Sequence, residues 1–470
     1  MTRKLFGTDG VRGVAGGLLT AELALGLAQA ATRKTGARRP QVLIVRDTRE
    51  SGEMLQAAVA AGVSAAGGDA LLGGVLPTPA APLLIGRYGF DLAVVLSASH
   101  NPYEDNGIKF FAGDGYKLSD ETELEIEREL ERSANPDSGL PAAGSPSGLG
   151  RATASASETS ASETASVARP QIGRVRELRG AGEDYLRELH GHFAELDLAG
   201  LDVLLDCANG ATHHVAPEIF RRLGAKVSVI ADRPDGRNIN AGCGSTHIEQ
   251  LGVRVREGGH EVGFAFDGDG DRVLAVDRTG TVVDGDELMA LTALHLRERE
   301  RLNGGGVVVT VMTNYGFHSA MKEAGVEVAI TQVGDRYVLE DLRARDWVLG
   351  GEQSGHIIDL SFNRTGDGIA GALLTLEALA GRDLAERDAM RKLPQRLVNV
   401  RVRERVALES ASALNDAVSA AADALAGRGR VLVRPSGTEP LVRVMVEAPT
   451  QEETDEVCEL LAALVELELG

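Results

Sequence analysis

The sequence is poor in cysteine, in basic charge and in long apolar stretches. Its three cysteines, Cys207, Cys243 and Cys458, are widely separated along 470 residues, and an odd count without CxxC spacing argues against a disulfide framework or a structural zinc site. No uninterrupted apolar run reaches the ~18 residues needed to span a bilayer. The opening MTRKLFGTDGVRG lacks the apolar segment of a signal peptide. We therefore expect a cytoplasmic protein without a membrane partner.

Basic residues are outnumbered, with 49 Lys and Arg against 69 Asp and Glu and a formal net charge of −20. So acidic a surface repels nucleic acid and anionic lipid, because both need basic patches. A small anionic substrate is still compatible with this charge, since it needs only a local cluster of Arg and Lys.

The chain is too long for one core, and at ~100–200 residues per domain it should hold about three or four domains. Apolar runs alternate with helix-like stretches such as Glu53–Ala66 and Glu287–Arg301. Near-continuous Val, Leu and Ile runs are typical of parallel strands covered by helices on both faces. The alternation predicts an α/β architecture. The clearest predicted strands are Gln41–Arg46, Leu92–Leu96, Leu201–Leu205 and Val307–Val311.

Three segments resemble one another: LAVVLSASHNP, LDVLLDCANGA and VVVTVMTNYGF each predict a strand followed by a loop of small and polar residues. Such loops at the carboxyl ends of parallel strands are where α/β proteins bind ligands, so we expect three related domains. The C-terminal part differs. An alternating strand at Leu397–Arg403, a helix from Ser410 to Ala426, two more strands and a terminal helix predict a small α+β domain.

One stretch between the first and second domains fits no packed element. It has no aromatic residue from Lys117 to Asp184, and SASET occurs twice in tandem at Ser155–Thr159 and Ser160–Thr164. A segment dominated by Pro, Gly, Ser, Ala and Thr buries too little apolar surface to offset its ordering entropy. We predict a disordered insertion or linker, and its composition favours an unselected linker over a segment regulated by phosphorylation.

Asp267, Asp269 and Asp271 lie in FAFDGDGDRVLAVD, where two strand-like arms flank an acidic, glycine-spaced tip. Three carboxylates so close repel one another unless a cation joins them, and carboxylate oxygens suit Mg²⁺ or Ca²⁺. A calcium EF-hand is excluded, because Arg272 and Arg278 occupy the positions that need Gly and Glu. The spacing therefore predicts a metal site.

Ser99 follows a predicted strand in LSASHNPYEDNGIKFF. The residues alone do not decide whether it is a nucleophile, because Ser97 competes with it and His100 is equally compatible with a structural loop histidine. Lys109 lies between Ile108 and Phe110, and a lysine on an otherwise apolar strand is a candidate charge stabiliser or general acid/base.

Two later loops carry groups suited to a phosphosugar. GGEQSGH at 350–356 brings Glu352, Ser354 and His356 between glycines, either to bind sugar hydroxyls or as a simple polar turn. RPSGTEPLVRVMVE offers the guanidiniums of Arg434 and Arg443 around a hydroxyl-rich turn, which is either a phosphate site or a strand-turn-strand with surface arginines, and the group inventory favours the phosphate site.

Together, SASHNP, DGDGD, GEQSGH and RPSGTEP resemble the α-D-phosphohexomutase superfamily, in that family's order over nearly the whole chain. FGTDGVRG, VGDRYV at 333–338, GEQSGHII and TGDGI are most similar to its bacterial branch that interconverts glucosamine 6-phosphate and glucosamine 1-phosphate on the route to UDP-N-acetylglucosamine. The resemblance implies three α/β domains with mixed sheets and a smaller α+β domain around a central cleft. The expected bounds are 1–132, 179–281, 282–395 and 396–470, with the insertion at 133–178.

The resemblance also implies roles for residues. It selects Ser99 over Ser97 as a phosphoserine that exchanges its phosphoryl group through a sugar bisphosphate. The implied Mg²⁺ ligands are Ser99 through its phosphate, Asp267, Asp269 and Asp271. The implied catalytic residues are Ser99, Lys109, His100 and Arg12. The implied substrate and phosphate ligands are Glu352, Ser354, His356, Arg434, Ser436, Gly437, Thr438 and Arg443.

Three alternatives remain on these residues: a mutase that prefers glucose or mannose phosphates, a phosphatase that hydrolyses the phosphoserine, and a non-catalytic sugar-phosphate-binding protein. The expected partner is a small phosphosugar, and the expected assembly is a monomer or homodimer.

Overall fold

The computed structural model describes residues 4–7, 9–134, 172–403, 411–435 and 440–470. Most of the predicted insertion lies outside these residues, as do Ser436, Gly437 and Thr438. The chain divides into two compact units, Met1–Tyr185 with Asp235–Arg237, and Leu186–Pro234 with Asn238–Gly470.

The described part of the first unit alternates strands and helices as the sequence predicts. Its elements are β1 (Val11–Val14), α1 (Ala21–Lys34), β2 (Gln41–Arg46), α2 (Ser51–Ala65), β3 (Asp69–Val75), α3 (Ala80–Tyr88), β4 (Leu92–Leu96), β5 (Asp105–Ala112), α4 (Asp120–Ala134) and β6 (Val175–Glu177). One mixed sheet has the order β1-β5-β4-β2-β3-β6, in which β5 runs antiparallel to its neighbours β4 and β1.

The central strands of this sheet are parallel, since β2 pairs in parallel with both β3 and β4. All five residues of β4 are buried, as the near-continuous apolar run predicts for a strand covered on both faces. Leu27 of α1, Val59 of α2 and Ile126 of α4 join Ile44 and Val94 of the sheet in one hydrophobic core. The loop after β4 carries Ser99.

The second unit holds three further sheets. Its elements begin with α5 (Ala181–His192), which contains the division between the units, and continue with β7 (Asp202–Asp206), α6 (Val215–Arg222), β8 (Lys226–Ile230), α7 (Glu249–Gly258), β9 (Val262–Phe266), β10 (Val273–Asp277), β11 (Val282–Val283), α8 (Gly285–Glu298), β12 (Gly306–Thr310), α9 (Tyr315–Ala324), β13 (Glu327–Thr331), α10 (Asp335–Arg345), β14 (Leu349–Gly351), β15 (Ile357–Asp359), α11 (Gly368–Leu379), β16 (Gln395–Arg401), α12 (Ser412–Ala424), β17 (Arg430–Pro435), β18 (Leu441–Glu447) and α13 (Gln451–Leu469).

The strand orders are β11-β10-β9-β7-β8, β13-β12-β14-β15 and β16-β18-β17. The first sheet has two parallel and two antiparallel pairs, and the second has two parallel pairs and one antiparallel pair. The last sheet is wholly antiparallel. Helices α12 and α13 pack on this last sheet through Leu414, Leu461 and Val465. The prediction of α/β domains followed by a small α+β domain is confirmed.

The four predicted strands lie at β2, β4, β7 and β12, the last two shifted by one residue. The predicted linker 133–178 overlaps ordered structure at its end, because β6 at Val175–Glu177 pairs in parallel with β3. The three cysteines are free and buried. Among the described helices, none is both long and apolar enough to cross a bilayer.

Candidate functional site

The tip of the β9–β10 hairpin gathers three carboxylates. Asp267, Asp269 and Asp271 are buried, and one oxygen from each lies within 4.8 Å of the others. Gly270 has φ +71°, a conformation that favours glycine, and its N–H donates to Asp267 O at 3.1 Å. Arg272 N–H donates to Asp267 Oδ1 at 3.2 Å. The tight turn therefore brings the three side chains together.

Glycines on neighbouring loops let the backbone approach this tip closely. A Cβ at Gly210 would lie 2.3 Å from Gly268 O, and one at Gly368 would lie 2.5 Å from a carbonyl oxygen of the same tip. Instead, Ala211 N–H donates to Gly268 O at 2.8 Å, and Gly368 N–H donates to Gly270 O at 2.9 Å. Backbone hydrogen bonds thus hold the loop of residues 267–271, the candidate metal loop, from two sides.

The donor set fits a divalent cation. Burial alone lowers the pKa of Arg272, but Asp271, Asp267 and Glu352 raise it above its ordinary value. Its Nε lies 3.9 Å from Asp271 Oδ1. One guanidinium cannot neutralise three buried carboxylates, and all-oxygen ligands are those that Mg²⁺ and Ca²⁺ prefer.

The GEQSGH loop connects β14 to β15 and is fixed against the start of β10. Gly355 has φ +88°, and a Cβ there would lie 2.1 Å from Val273 O, while Val273 N–H donates to Gly355 O at 3.0 Å. Glu352 is buried and its Oε1 accepts from Gly334 N–H at 3.0 Å. Ser354 is exposed. The loop therefore combines a fixed carboxylate with an accessible hydroxyl, and it contacts the first residue of β10.

His356 lies behind the metal loop. It is 2% exposed, and its Nδ1 is 3.6 Å from Asp271 Oδ1. Gly366 N–H donates to Nε2 at 3.1 Å, which assigns the imidazole proton to Nδ1, facing Asp271. These contacts make His356 an orienting neighbour of Asp271, a candidate metal ligand.

The C-terminal domain places two arginines side by side. Arg434 of β17 pairs in register with Arg443 of β18, and Arg434 Nη2 lies 3.4 Å from the sulfur of Met312 in the loop after β12. Partial burial, followed by the charge of Arg443, lowers the pKa of Arg434. No ion pair to either side chain occurs among the described residues. Two adjacent guanidiniums without a counter-ion form a site for an anion.

In the first unit, Ser99 lies in the loop after β4 with φ +53°. Its Oγ is 3.3 Å from His100 Nδ1. Ser97 is fully buried, and its hydroxyl donates to Asp47 Oδ2 at 2.6 Å and accepts from Ser99 N–H at 2.9 Å. Both hydrogen-bonding functions of the Ser97 hydroxyl are thus used within the fold.

Three cations converge on Asp9 in the same unit. Lys109 Nζ lies 2.9 Å from Asp9 Oδ2, and Lys117 and Arg12 also form ion pairs with this carboxylate. Burial would raise the pKa of Asp9, but Lys109, Lys117 and Arg12 hold it well below its usual range. The structure thus brings together Lys109 and Arg12, which the sequence separates by nearly a hundred residues.

Models of the phosphoglucomutase/phosphomannomutase domains match the chain in order. The alpha/beta/alpha domains I, II and III match residues 3–137, 183–280 and 284–397, and the C-terminal domain matches 397–464. A phosphoglucosamine mutase of Moorella thermoacetica is 51% identical over 459 residues, covering 97% of each chain. The chain belongs to the phosphoglucomutase/phosphomannomutase family.

Solved structures share the fold of this family member. A phosphoglucomutase/phosphomannomutase family protein from Burkholderia thailandensis aligns with a TM-score of 0.76 at 21% identity, over 100% of this chain and 98% of that chain. The N-acetylphosphoglucosamine mutase of Aspergillus fumigatus, solved in complex with GlcNAc-6P and magnesium, aligns with a TM-score of 0.64 at 17% identity, over 99% and 96%.

Several residues at the candidate sites of this family member were not predicted from the sequence. The ion pair between Asp9 and Lys117 depends on the pairing of β1 with β5. Asp335 lies 3.8 Å from His356 Nε2. Arg49 was missed as well, although a charged pair directly after an apolar strand, in the stretch VRDTRE, was an available signal.

Proposed function

We propose that this protein is a phosphoglucosamine mutase, an isomerase that interconverts glucosamine 6-phosphate and glucosamine 1-phosphate in the cytoplasm for UDP-N-acetylglucosamine synthesis. The reaction class rests on the buried triad of Asp267, Asp269 and Asp271 beside the GEQSGH loop. The choice of sugar rests on the likeness to the Moorella relative over nearly the full length of both chains.

In the proposed reaction Ser99 carries a phosphoryl group. The bond between Ser99 Oγ and phosphorus breaks while a free hydroxyl of the sugar monophosphate bonds to phosphorus, and the hydroxyl proton passes to a base. The resulting sugar bisphosphate turns over, and its other phosphate returns to Ser99, which restores the phosphoserine and releases the isomer. Ser99 is favoured over Ser97 because the Ser97 hydroxyl is already committed to Asp47 and to the Ser99 amide.

Of the three catalytic candidates besides Ser99, which are His100, Lys109 and Arg12, we assign proton transfer to His100. His100 has its Nδ1 3.3 Å from Ser99 Oγ, a separation at which a general acid or base acts after modest tightening. Lys109 and Arg12 both form ion pairs with the Asp9 carboxylate. We assign those two the stabilisation of negative charge.

Asp267, Asp269 and Asp271, with an oxygen of phospho-Ser99, would hold Mg²⁺, which neutralises charge that develops in phosphoryl transfer. Arg434 and Arg443 anchor the phosphate that is not reacting, together with Ser436, Gly437 and Thr438, which lie between them in the sequence. Glu352 and Ser354 bind sugar hydroxyls, and His356 supports them by orienting Asp271. Positioning of this kind can supply roughly 7–11 kcal/mol of a barrier.

Replacing Ser99 tests the relay. We expect Ser99→Ala to lower kcat by at least about 1000-fold, because no other described hydroxyl takes its place. Intact mass of the wild-type protein, with and without a hexose 1,6-bisphosphate, should show one exchangeable phosphoryl group that Ser99→Ala lacks. Near-normal activity of the variant would contradict the proposal.

Rates on two substrates test the sugar. We expect kcat/KM for glucosamine 6-phosphate to exceed that for glucose 6-phosphate by about tenfold or more, the scale of one specific polar contact. Equal or reversed rates would make the protein a phosphoglucomutase or phosphomannomutase. Release of inorganic phosphate without isomerised sugar would make it a phosphatase.

A further inference from the structure

The fully buried ion pair of Arg49 and Asp47 contacts the loop that carries Ser99. Arg49 is 0% exposed and Asp47 is 1% exposed, and both follow β2 directly. Arg49 Nε donates to Asp47 Oδ2 at 2.8 Å, and Arg49 N–H donates to Asp47 Oδ1 at 3.0 Å. Burying a guanidinium and a carboxylate is costly unless every donor is satisfied, so the destinations of the other Arg49 donors are informative.

The remaining guanidinium donors all reach one loop. Nη2 donates to Ser99 O and to Asn101 O, each at 2.9 Å. Nη1 donates to Asp105 O at 2.9 Å and also to Pro102 O. All five N–H donors of the guanidinium are therefore used, one on Asp47 and four on carbonyl oxygens between residues 99 and 105.

Asp47 reaches the same loop through the Ser97 hydroxyl, which contacts the same carboxylate oxygen as Arg49 Nε. The Ser97 hydroxyl donates to Asp47 Oδ2 at 2.6 Å and accepts from Ser99 N–H at 2.9 Å. The Ser99 peptide is thus held on its carbonyl side by Arg49 and on its amide side through Ser97. Ser99 has φ +53°, in a region that residues other than glycine rarely adopt and that persists only when its surroundings enforce it.

We propose that Arg49, acting with Asp47, is a positioning residue that fixes the reactive geometry of Ser99. The inference rests on the proposed function of Ser99 as the phosphoryl carrier. Arg49 contacts the Ser99 loop through main-chain carbonyl oxygens. It therefore acts on the direction of the Ser99 Oγ through the backbone and not through contact with the phosphoryl group. A lysine cannot replace it, because an ammonium is a point charge with three donors and lacks the planar fork that reaches four carbonyls at once.

Arg49→Lys tests this role, with Arg39→Lys as a matched control whose side chain is exposed and pairs with Asp69 at 3.0 Å. Each protein is charged with a hexose 1,6-bisphosphate and Mg²⁺, and kcat and KM for glucosamine 6-phosphate are measured per folded molecule, with the folded fraction taken from circular dichroism. We expect Arg49→Lys to lower kcat about 100-fold with KM changed by less than about threefold, since misplacement of roughly 1 Å affects the chemical step. Arg39→Lys should match the wild type.

A kcat per folded Arg49→Lys molecule within about twofold of the wild type would overturn the role. If Arg49→Lys does not fold, Ser97→Ala decides, because it removes the hydroxyl that links Asp47 to the Ser99 amide. We expect its kcat per folded molecule to fall about tenfold and its melting temperature to fall because Asp47 loses a buried hydrogen bond, and a normal kcat would overturn the role. Full activity of Ser99→Ala would refute the proposed function itself, whereas phosphoryl exchange on Ser99 with a fully active Arg49→Lys would refute only the positioning role.

Discussion

At the scale of single residues, the carboxylates of Asp267, Asp269 and Asp271 repel one another, and a bound divalent cation would offset this repulsion. Three carboxylates with oxygens within 4.8 Å of one another are buried at the tip of one hairpin. Like charges at this distance destabilise the folded state unless a counter-charge is present. The loop is therefore expected to be less stable without a divalent cation than with one.

Asp269→Asn should separate the repulsion from the binding. Removing one charge lessens the repulsion, so the melting temperature in EDTA should stay the same or rise. The stabilisation by Mg²⁺, about 2.7 kcal/mol at a hundredfold excess over Kd for a folded-state ligand, should largely disappear together with activity. Melts across a magnesium titration measure both effects, and Asp388→Asn, whose side chain is 82% exposed, is the control. An unchanged titration in Asp269→Asn would mean that the loop holds no metal.

The low pKa of Asp9 predicts how the stability of the folded protein depends on pH. Its pKa in the folded protein lies well below the usual range because Lys109, Lys117 and Arg12 outweigh burial. A depressed folded pKa stabilises the protein above the unfolded pKa of about 3.9, and this contribution is lost as pH falls through the folded value.

Asp9→Asn should therefore be destabilised by about 3 kcal/mol at pH 7, since it leaves three cations without their shared partner. The difference in melting temperature from the wild type should be constant from about pH 5 to 8 and should narrow below about pH 4. Asp114→Asn, on an exposed turn, provides the control. A difference independent of pH down to pH 3 would contradict the ion-pair cluster.

At the scale of elements, features set by the local sequence were predictable, whereas features set by tertiary contacts were not. The strands at β2 and β4 and the acidic hairpin were predictable, because apolar runs and glycine-spaced carboxylates are local signals. The contacts between Arg49 and the Ser99 loop were not predictable. Arg49 donates to carbonyl oxygens about fifty residues further along the chain, and only strand pairing brings these residues together. His356 was predicted as a substrate ligand from its neighbours in sequence, yet its ring faces Asp271 and Gly366.

Gly355 fixes the GEQSGH loop to β10 by lacking a side chain. Gly355→Ala would place a Cβ 2.1 Å from Val273 O at φ +88°, so the loop must move away from the metal hairpin. We expect a loss of about 2–4 kcal/mol in stability and a fall of at least about tenfold in kcat/KM.

Gly381→Ala is the matched control, because Gly381 has φ +81° but nothing within 4 Å of a new Cβ. It should lose about 1 kcal/mol from backbone strain alone and keep its activity. Denaturant unfolding and steady-state kinetics on both variants make the comparison. Equal effects at the two sites would show that strain, and not the close approach to β10, governs the loop.

At the scale of the whole molecule, the small C-terminal domain is tied to the third domain by one buried carboxylate. Glu447 of β18 is 0% exposed and pairs with Arg430 Nε at 2.7 Å, while it accepts from Tyr315 N–H at 2.9 Å. Arg430 also donates to Thr313 O at 2.6 Å. The loop after β12, which the sequence marked as a functional loop, thus docks the domain that carries Arg434.

Glu447→Gln removes the charge but keeps an acceptor, so Arg430 stays buried against a neutral partner at a cost of about 1–3 kcal/mol. We expect a lower-temperature transition of the C-terminal domain in calorimetry. KM for glucosamine 6-phosphate should rise about tenfold, equivalent to 1.4 kcal/mol, because Arg434 and Arg443 lie on the strands that Glu447 anchors. Glu453→Gln is the control, since Glu453 pairs with Arg428 on the surface of the same domain. A loss of stability with unchanged KM would show that docking of this domain does not position the phosphate site, and it would leave Arg434 and Arg443 to act from a domain held by other contacts.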